Sequence, residues 1–151
     1  AGAGGFLRGM QWDVFHPVGD GPLRSARDAA LVLRVARDGC GVLFMGGARQ
    51  QAERVLARSP ESPSAPVLVV GGHGGVGTCA LRFLRRVHPA WAVLSVGLYN
   101  VYGEPDPGAP ERLKACGIRV LRTDQSGTVR IRWTDARRGH YRIEAGDDGD
   151  W

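Results

Sequence analysis

The residues best suited to chemistry in this sequence form one glycine loop, Gly72-His73-Gly74-Gly75-Val76-Gly77, which satisfies G-x-G-x-x-G. It follows the apolar run Val67-Leu68-Val69-Val70 and precedes a helical pattern. In that setting a helix N-terminus offers free N–H groups to a pyrophosphate. The rest of a dinucleotide site does not follow. The next strand should end in an acid for the ribose hydroxyls, yet the region reads Leu94-Ser95-Val96-Gly97-Leu98. A Walker loop also fails, because Thr78 stands where lysine is required. A dinucleotide-binding module using residues 72–77 is kept as an alternative. His73 offers one imidazole as a metal ligand, against the commoner role of a solvent-facing or backbone-bonded histidine. Ser95 has no legible His/Asp partner, so a serine hydrolase is unsupported. Cys40, Cys79 and Cys116 show no C-x-x-C spacing, which argues for small buried hydrophobes rather than a zinc ribbon or a disulfide framework.

A second chemical pattern is basic. Arg130, Arg132, Arg137, Arg138 and Arg142 fall on a hairpin with Trp133 and Tyr141 interleaved. Such a surface could contact phosphates and stack on bases. The competing reading is a solvated edge pair whose charge blocks aggregation. Arg82, Arg85 and Arg86 share one helix and read as a solvated face.

The elements that position these residues are those of one domain. The chain has 151 residues, with 20 Lys or Arg against 15 Asp or Glu and a net charge of +5. A 43% hydrophobic content argues against disorder, and no uncharged apolar run approaches the ~20 residues of a membrane span. Ala1 to Gly5 carries neither a basic nor an apolar leader region, so it reads as a segment cut from something longer rather than a signal peptide. Alternation predicts a strand over residues 11–16, stopped by Pro17, and a loop over 18–28. Residues 30–35 and 41–45 read as strands joined at Asp38-Gly39. A helix is expected over 48–58 with Ala52, Val55 and Leu56 on its buried face, then a proline- and serine-rich loop to Pro66. After the strand at 67–70, Thr78 is expected to cap a helix ending at Val87. A strand over 90–96 precedes a helix opened by Asp106-Pro107 and ended by Gly117. Strands over 118–121, 128–133 and 140–143 complete an α/β layered domain over 1–146, followed by an acidic tail at 147–151.

Several separated segments together resemble a known family. Trp12-x-Val14-x-His16-Pro17 and Asp28-x-x-Leu31-Val32-Leu33-Arg34 resemble the second half of a metallo-β-lactamase-like domain. The specific likeness is to the form found in the competence-associated DNA-uptake channel, the ComEC family. That family shows T-G-D closing a strand, P-H-H-G-S after the next, then S-V-G-x-x-N-x-Y-G-H-P-x-P and R-T-D-x-x-G. This chain has Met45-Gly46-Gly47, Gly71-Gly72-His73-Gly74-Gly75, Ser95-Val96-Gly97-Leu98-Tyr99-Asn100-Val101-Tyr102-Gly103-Glu104-Pro105-Asp106-Pro107, and Arg122-Thr123-Asp124-Gln125-Ser126-Gly127. The resemblance covers residues 8 to 134 and is most specific from 95 to 127.

The resemblance implies the second half of an αββα sandwich, a mixed sheet with helices on one face. Its departures fall on the family's metal-binding edge. Gly47 stands in place of the T-G-D aspartate, Gly72 in place of the first histidine, and Arg27 in place of an asparagine. Glu104 and Asp106 stand where relatives often carry histidines. The H-x-H-x-D-H signature is absent, and the family carries it in the other half of the domain. Glycine offers no ligand atom, so no catalytic residue is expected. Asp28, His73, Asn100, Tyr102, Glu104 and Asp106 are the remnant edge, with His73 the one residual metal ligand. Asp106 also reads as a helix cap, Glu104 as a solvated loop carboxylate, Tyr102 as loop-shaping or packing, and Asp28 as orienting its turn.

No cofactor is expected, or Zn or Mn if a missing half completes the site. The expected function is a non-catalytic structural or DNA-guiding role in DNA internalisation. The alternative is a metal-dependent phosphodiesterase or nuclease completed by the missing N-terminal half. The implied partners are that half, the membrane channel of the parent, DNA, and a second copy through an exposed sheet face. The parent would sit in a bacterial inner membrane with this domain soluble and extracytoplasmic.

Overall fold

Asp38 and Gly39, at φ 49° and 83°, adopt the positive-φ pair that a two-residue hairpin needs. They join β3 (Val32–Arg37) to β4 (Cys40–Phe44) in a computed structural model that describes residues 3–17, 29–135 and 140–146. With β1 (Gly4–Leu7) and β2 (Met10–His16) ahead of them, these strands form an antiparallel meander. From β4 the sheet becomes parallel: β5 (Val67–Val69), β6 (Trp91–Leu94) and β7 (Arg119–Arg122) follow in chain order. Each parallel step needs a crossover, supplied by α1 (Gln50–Leu56), α2 (Leu81–Val87) and α3 (Gly108–Ala115). A single turn, α4 (Thr123–Ser126), leads into a separate antiparallel hairpin, β8 (Thr128–Asp135) and β9 (His140–Gly146).

Strand alternation divides the apolar residues between two faces. On one face Leu43, Leu68, Ala92 and Leu94 pack with Ala52 and Leu56 of α1, Phe83, Leu84 and Val87 of α2, and Ala109 and Leu113 of α3. All three crossover helices therefore lie on this face, as expected for a mixed sheet covered by helices on one side. Burying Phe83 or one of these leucines contributes about 2–3 kcal/mol. On the other face Val42, Val67 and Val93 meet Val129, Ile131, Trp133, Tyr141 and Ile143 of the hairpin. The face expected to be open is thus covered over β4–β6 by the chain's own C-terminal hairpin. Beside it, Trp12, Val14, Leu33, Val35 and Phe44 share that face by register and stay half-buried or exposed.

Four local readings are corrected. β1 was not anticipated, because Gly4-Gly5 carries no alternation and the strand forms by pairing to β2. On α1 the buried residues are Ala52, Glu53 and Leu56, while Val55 is exposed. Thr78 does not cap α2, which starts at Leu81; its Oγ1 donates to Gly75 O at 2.8 Å. Cys40 and Cys79 are buried but Cys116 is exposed at the end of α3. The acidic tail at 147–151 lies outside the described residues.

Candidate functional site

β4 and β5 end side by side, with Phe44 opposite Val69, so the segments that follow them share one sheet edge. Beyond β5 the chain makes a tight turn over Gly71–Gly74, with Gly72 and His73 both at positive φ. Arg49, immediately before α1, lies across this turn. A Cβ at Gly72 would come within 2.6 Å of Arg49 Cγ, and one at Gly75 within 2.9 Å of both Arg49 Cζ and Glu104 Oε1. The bare glycines are the floor of an ion pair in which Arg49 Nη2 donates to Glu104 Oε1. Glu104 is not a solvated loop carboxylate: its side chain is 14% exposed. Partial removal from water strengthens the pair beyond a surface contact.

Asn100 holds the carboxylate in place. Its Nδ2 donates to Glu104 O at 2.7 Å and its Oδ1 accepts from Glu104 N at 2.9 Å, closing residues 100–104 into a loop. Asp106 N then donates to Gly74 O at 3.0 Å, tying this loop to the glycine turn. Asp106 Oδ1 accepts from Gly108 N at 3.2 Å and lies 3.9 Å from Arg112 Nη2, consistent with a helix-entry role. Tyr102 is 82% exposed and stands outside the core. The structure therefore brings His73, Asn100, Glu104 and Asp106 to one edge. Asp28 lies outside the described residues.

The entrance to α2 is also occupied. Glu53, 1% exposed, accepts from Cys79 N at 2.7 Å through Oε1 and from Ala80 N at 2.9 Å through Oε2. Burial pushes its carboxyl above the usual range, opposed by those two N–H groups and the charge of Arg112. Burial also pushes the Cys79 thiol up to about 12, so it is no nucleophile. The amides of Cys79 and Ala80 at this helix entrance are held by an internal carboxylate and are not open to a pyrophosphate.

A metal fares no better on the residues present. His73 Nδ1 donates to Ser95 O at 2.7 Å, which leaves Nε2 with a lone pair in the orientation a metal-binding histidine adopts. Gly47 and Gly72 contribute no donor, and Glu104, the carboxylate on the glycine turn, already neutralises a guanidinium. Among the described residues no group of three or more His, Cys, Asp or Glu could hold an ion. A divalent cation here would face the fixed positive charge of Arg49, so this donor set does not fit one.

No protein-family model matches the chain. Comparison with curated proteins finds ComE operon protein 3 of Bacillus subtilis (strain 168), 31% identical over 127 residues, which is 84% of this chain and 16% of that protein. Competence protein ComA of Neisseria gonorrhoeae is 36% identical over 101 residues, 66% of this chain and 15% of that protein. Recombination protein 2 of Haemophilus influenzae is 32% identical over 96 residues, 64% of this chain and 12% of that protein. The chain is a homologue of the ComEC-family competence proteins. It spans between 12% and 16% of the length of the curated relatives it matches. No described helix of this ComEC-family homologue is long and apolar enough to cross a membrane.

The basic hairpin divides by alternation. Arg130, Arg132 and Arg142 are on its outer face, where Glu144 lies 3.6 Å from Arg132 Nε and 3.7 Å from Arg142 Nη1. Arg137 and Arg138 lie outside the described residues. Trp133 is not a stacking platform: it turns inward and its Nε1 donates to Cys40 O at 3.0 Å. Arg49, Glu53 and Arg112 were missed in the sequence because they read as the polar faces of helices. The signal that points to Arg49 is Gly72 and Gly75, where a side chain would collide with its guanidinium arm.

Proposed function

We propose that this chain is the non-catalytic second half of a metallo-β-lactamase-like domain in a DNA-internalisation protein, with a structural and DNA-guiding role. The observation that carries this reading is the Arg49–Glu104 pair lying on Gly72 and Gly75. A guanidinium takes the place of a cation there, and among the described residues no metal donor set is assembled around it. Kinship with competence proteins supports the setting. The partly exposed apolar strip of Trp12, Val14, Leu33, Val35 and Phe44 supports packing against a companion half-domain, the membrane channel of the parent lying beyond it. The outward Arg130, Arg132 and Arg142 support contact with a polyanion. The parent would reside in a bacterial inner membrane with this domain on its extracytoplasmic side.

A second reading is favoured by one observation, the His73–Ser95 hydrogen bond that orients an imidazole as a ligand. Under it, a companion half supplies the remaining donors for a Zn- or Mn-dependent phosphodiesterase. Elemental analysis of the full-length parent, paired with a nuclease assay in Mn²⁺ and Zn²⁺, separates the two. The first reading expects bound DNA that is not cut and no stoichiometric metal. Robust metal-dependent cleavage overturns it.

A further inference from the structure

The opposite end of the sheet holds a groove that the glycine-loop edge does not use. Trp91 opens β6 and Arg119 opens β7, and the parallel register sets them side by side. The Arg119 guanidinium lies over the Trp91 ring, 4.1 Å from its centroid. His140, Tyr141, Arg142 and Ile143 of β9 form the other wall of a groove of about 460 Å³. Among the described residues its lining carries two arginines and a histidine and no carboxylate. Arg142 is 71% exposed, with Glu144 at 3.7 Å as a loose neighbour on its outer side. Arg119 is exposed and, among the described residues, forms no ion pair. Contact with the indole restricts its planar head, so it presents its N–H fork at a reduced cost in side-chain freedom.

We propose that this groove binds a single strand of DNA, with phosphates on Arg119 and Arg142 and a base against the Trp91–Arg119 stack. The inference rests on the DNA-guiding reading above and gives that reading a location. A flat guanidinium–indole face takes a base only when the base is free of a duplex stack, which selects the single strand. Two charged forks within one groove set the phosphate contacts.

The test is anisotropy of a labelled oligo-dT of about 12 nucleotides, titrated with the full chain at several salt concentrations. Arg119→Ala and Arg142→Ala should each weaken binding at least about tenfold and lower the salt slope by about 0.7. Arg119→Lys keeps the charge but not the planar stack, so it should weaken binding with the slope unchanged. Quenching of tryptophan emission by the strand should vanish in Trp91→Phe. If the Arg119→Ala/Arg142→Ala variant melts like the wild type and binds the strand equally well, the groove is wrong while the DNA-guiding reading stands. Equal affinity for a duplex of the same length also overturns it. No binding by the wild type at low salt removes the DNA-guiding reading itself, and the groove with it.

Discussion

Arg49 and Glu104, 55 residues apart in the chain, form an ion pair that rests directly on the backbone of Gly72 and Gly75. The pair links the start of α1 to the loop before α3, and the glycine turn after β5 is shaped around it. Two absent side chains in the sequence are thereby explained by two that are present.

That relationship predicts an energetic coupling. Gly72→Ala should destabilise by about 1–2 kcal/mol, from its φ of +49° and from collision with Arg49 Cγ. In an Arg49→Ala background the collision disappears and only the backbone cost of about 1 kcal/mol should remain. A double-mutant cycle by urea denaturation measures the difference. Equal costs in both backgrounds would show that the guanidinium does not lie there.

Glu53 predicts a second outcome. Its two oxygens satisfy Cys79 N and Ala80 N in the interior. Glu53→Ala orphans both amides and should cost about 2–5 kcal/mol, while Glu53→Gln retains one acceptor and should cost about 1–3 kcal/mol. Thermal melts of the two variants, compared with a near-neutral Val55→Ala on the exposed side of the helix, check the order.

The same groups give stability a signed pH dependence. Burial raises the Glu53 carboxyl, so the folded state holds its proton over a range where the unfolded chain has lost it. Stability from this group therefore falls as pH rises from the ordinary carboxyl range through the raised value. Asp124 is held low by its hydrogen bonds from Arg122. For Asp13, burial raises the carboxyl, but the hydrogen bonds from Gln11 and Arg34 and the Arg34 charge outweigh it. Stability from these two is present above the ordinary aspartate range and is lost as pH falls through their lowered values. Urea midpoints from about pH 3 to 8 should show Glu53→Gln flattening the alkaline limb and Asp124→Asn the acid limb.

Hairpin alternation makes a fourth prediction. Ile143→Ala on the inner face should cost about 1–3 kcal/mol, and Trp133→Phe about 1 kcal/mol for the bond to Cys40 O. Arg132→Ala on the outer face should stay within about 0.5 kcal/mol. Chemical denaturation of the three variants reads the order, and a costly Arg132→Ala would refute the assigned faces.

Where local pattern determines structure, the sequence is legible. Asp38-Gly39 fixes a hairpin by its own backbone preference, and the alternating apolar residues of β8 and β9 reveal a two-faced ribbon. β1 is illegible because its glycines become a strand only when β2 offers a partner. Thr78 looks like a cap because the type is right, but Glu53, 25 residues earlier, reaches the amides first. Motif spacing points to His73, Asn100, Glu104 and Asp106, and the fold sets these four along one sheet edge. The guanidinium among them could not be read, since an arginine ahead of a helix looks like any solvated cation until the fold sets a glycine turn beneath it. The Trp91–Arg119 stack was hidden for the same reason, being set by the register of two strands separated by a whole helix.

Crystals of the chain grown or soaked in Zn²⁺ and Mn²⁺, with anomalous data collected at the metal edges, test the central claim most directly. The account predicts Arg49 seated on Gly72 and Gly75 with its guanidinium on Glu104, and no anomalous peak at the glycine loop. A divalent ion on His73 Nε2 and the Glu104 carboxylate, with Arg49 swung away, would contradict it.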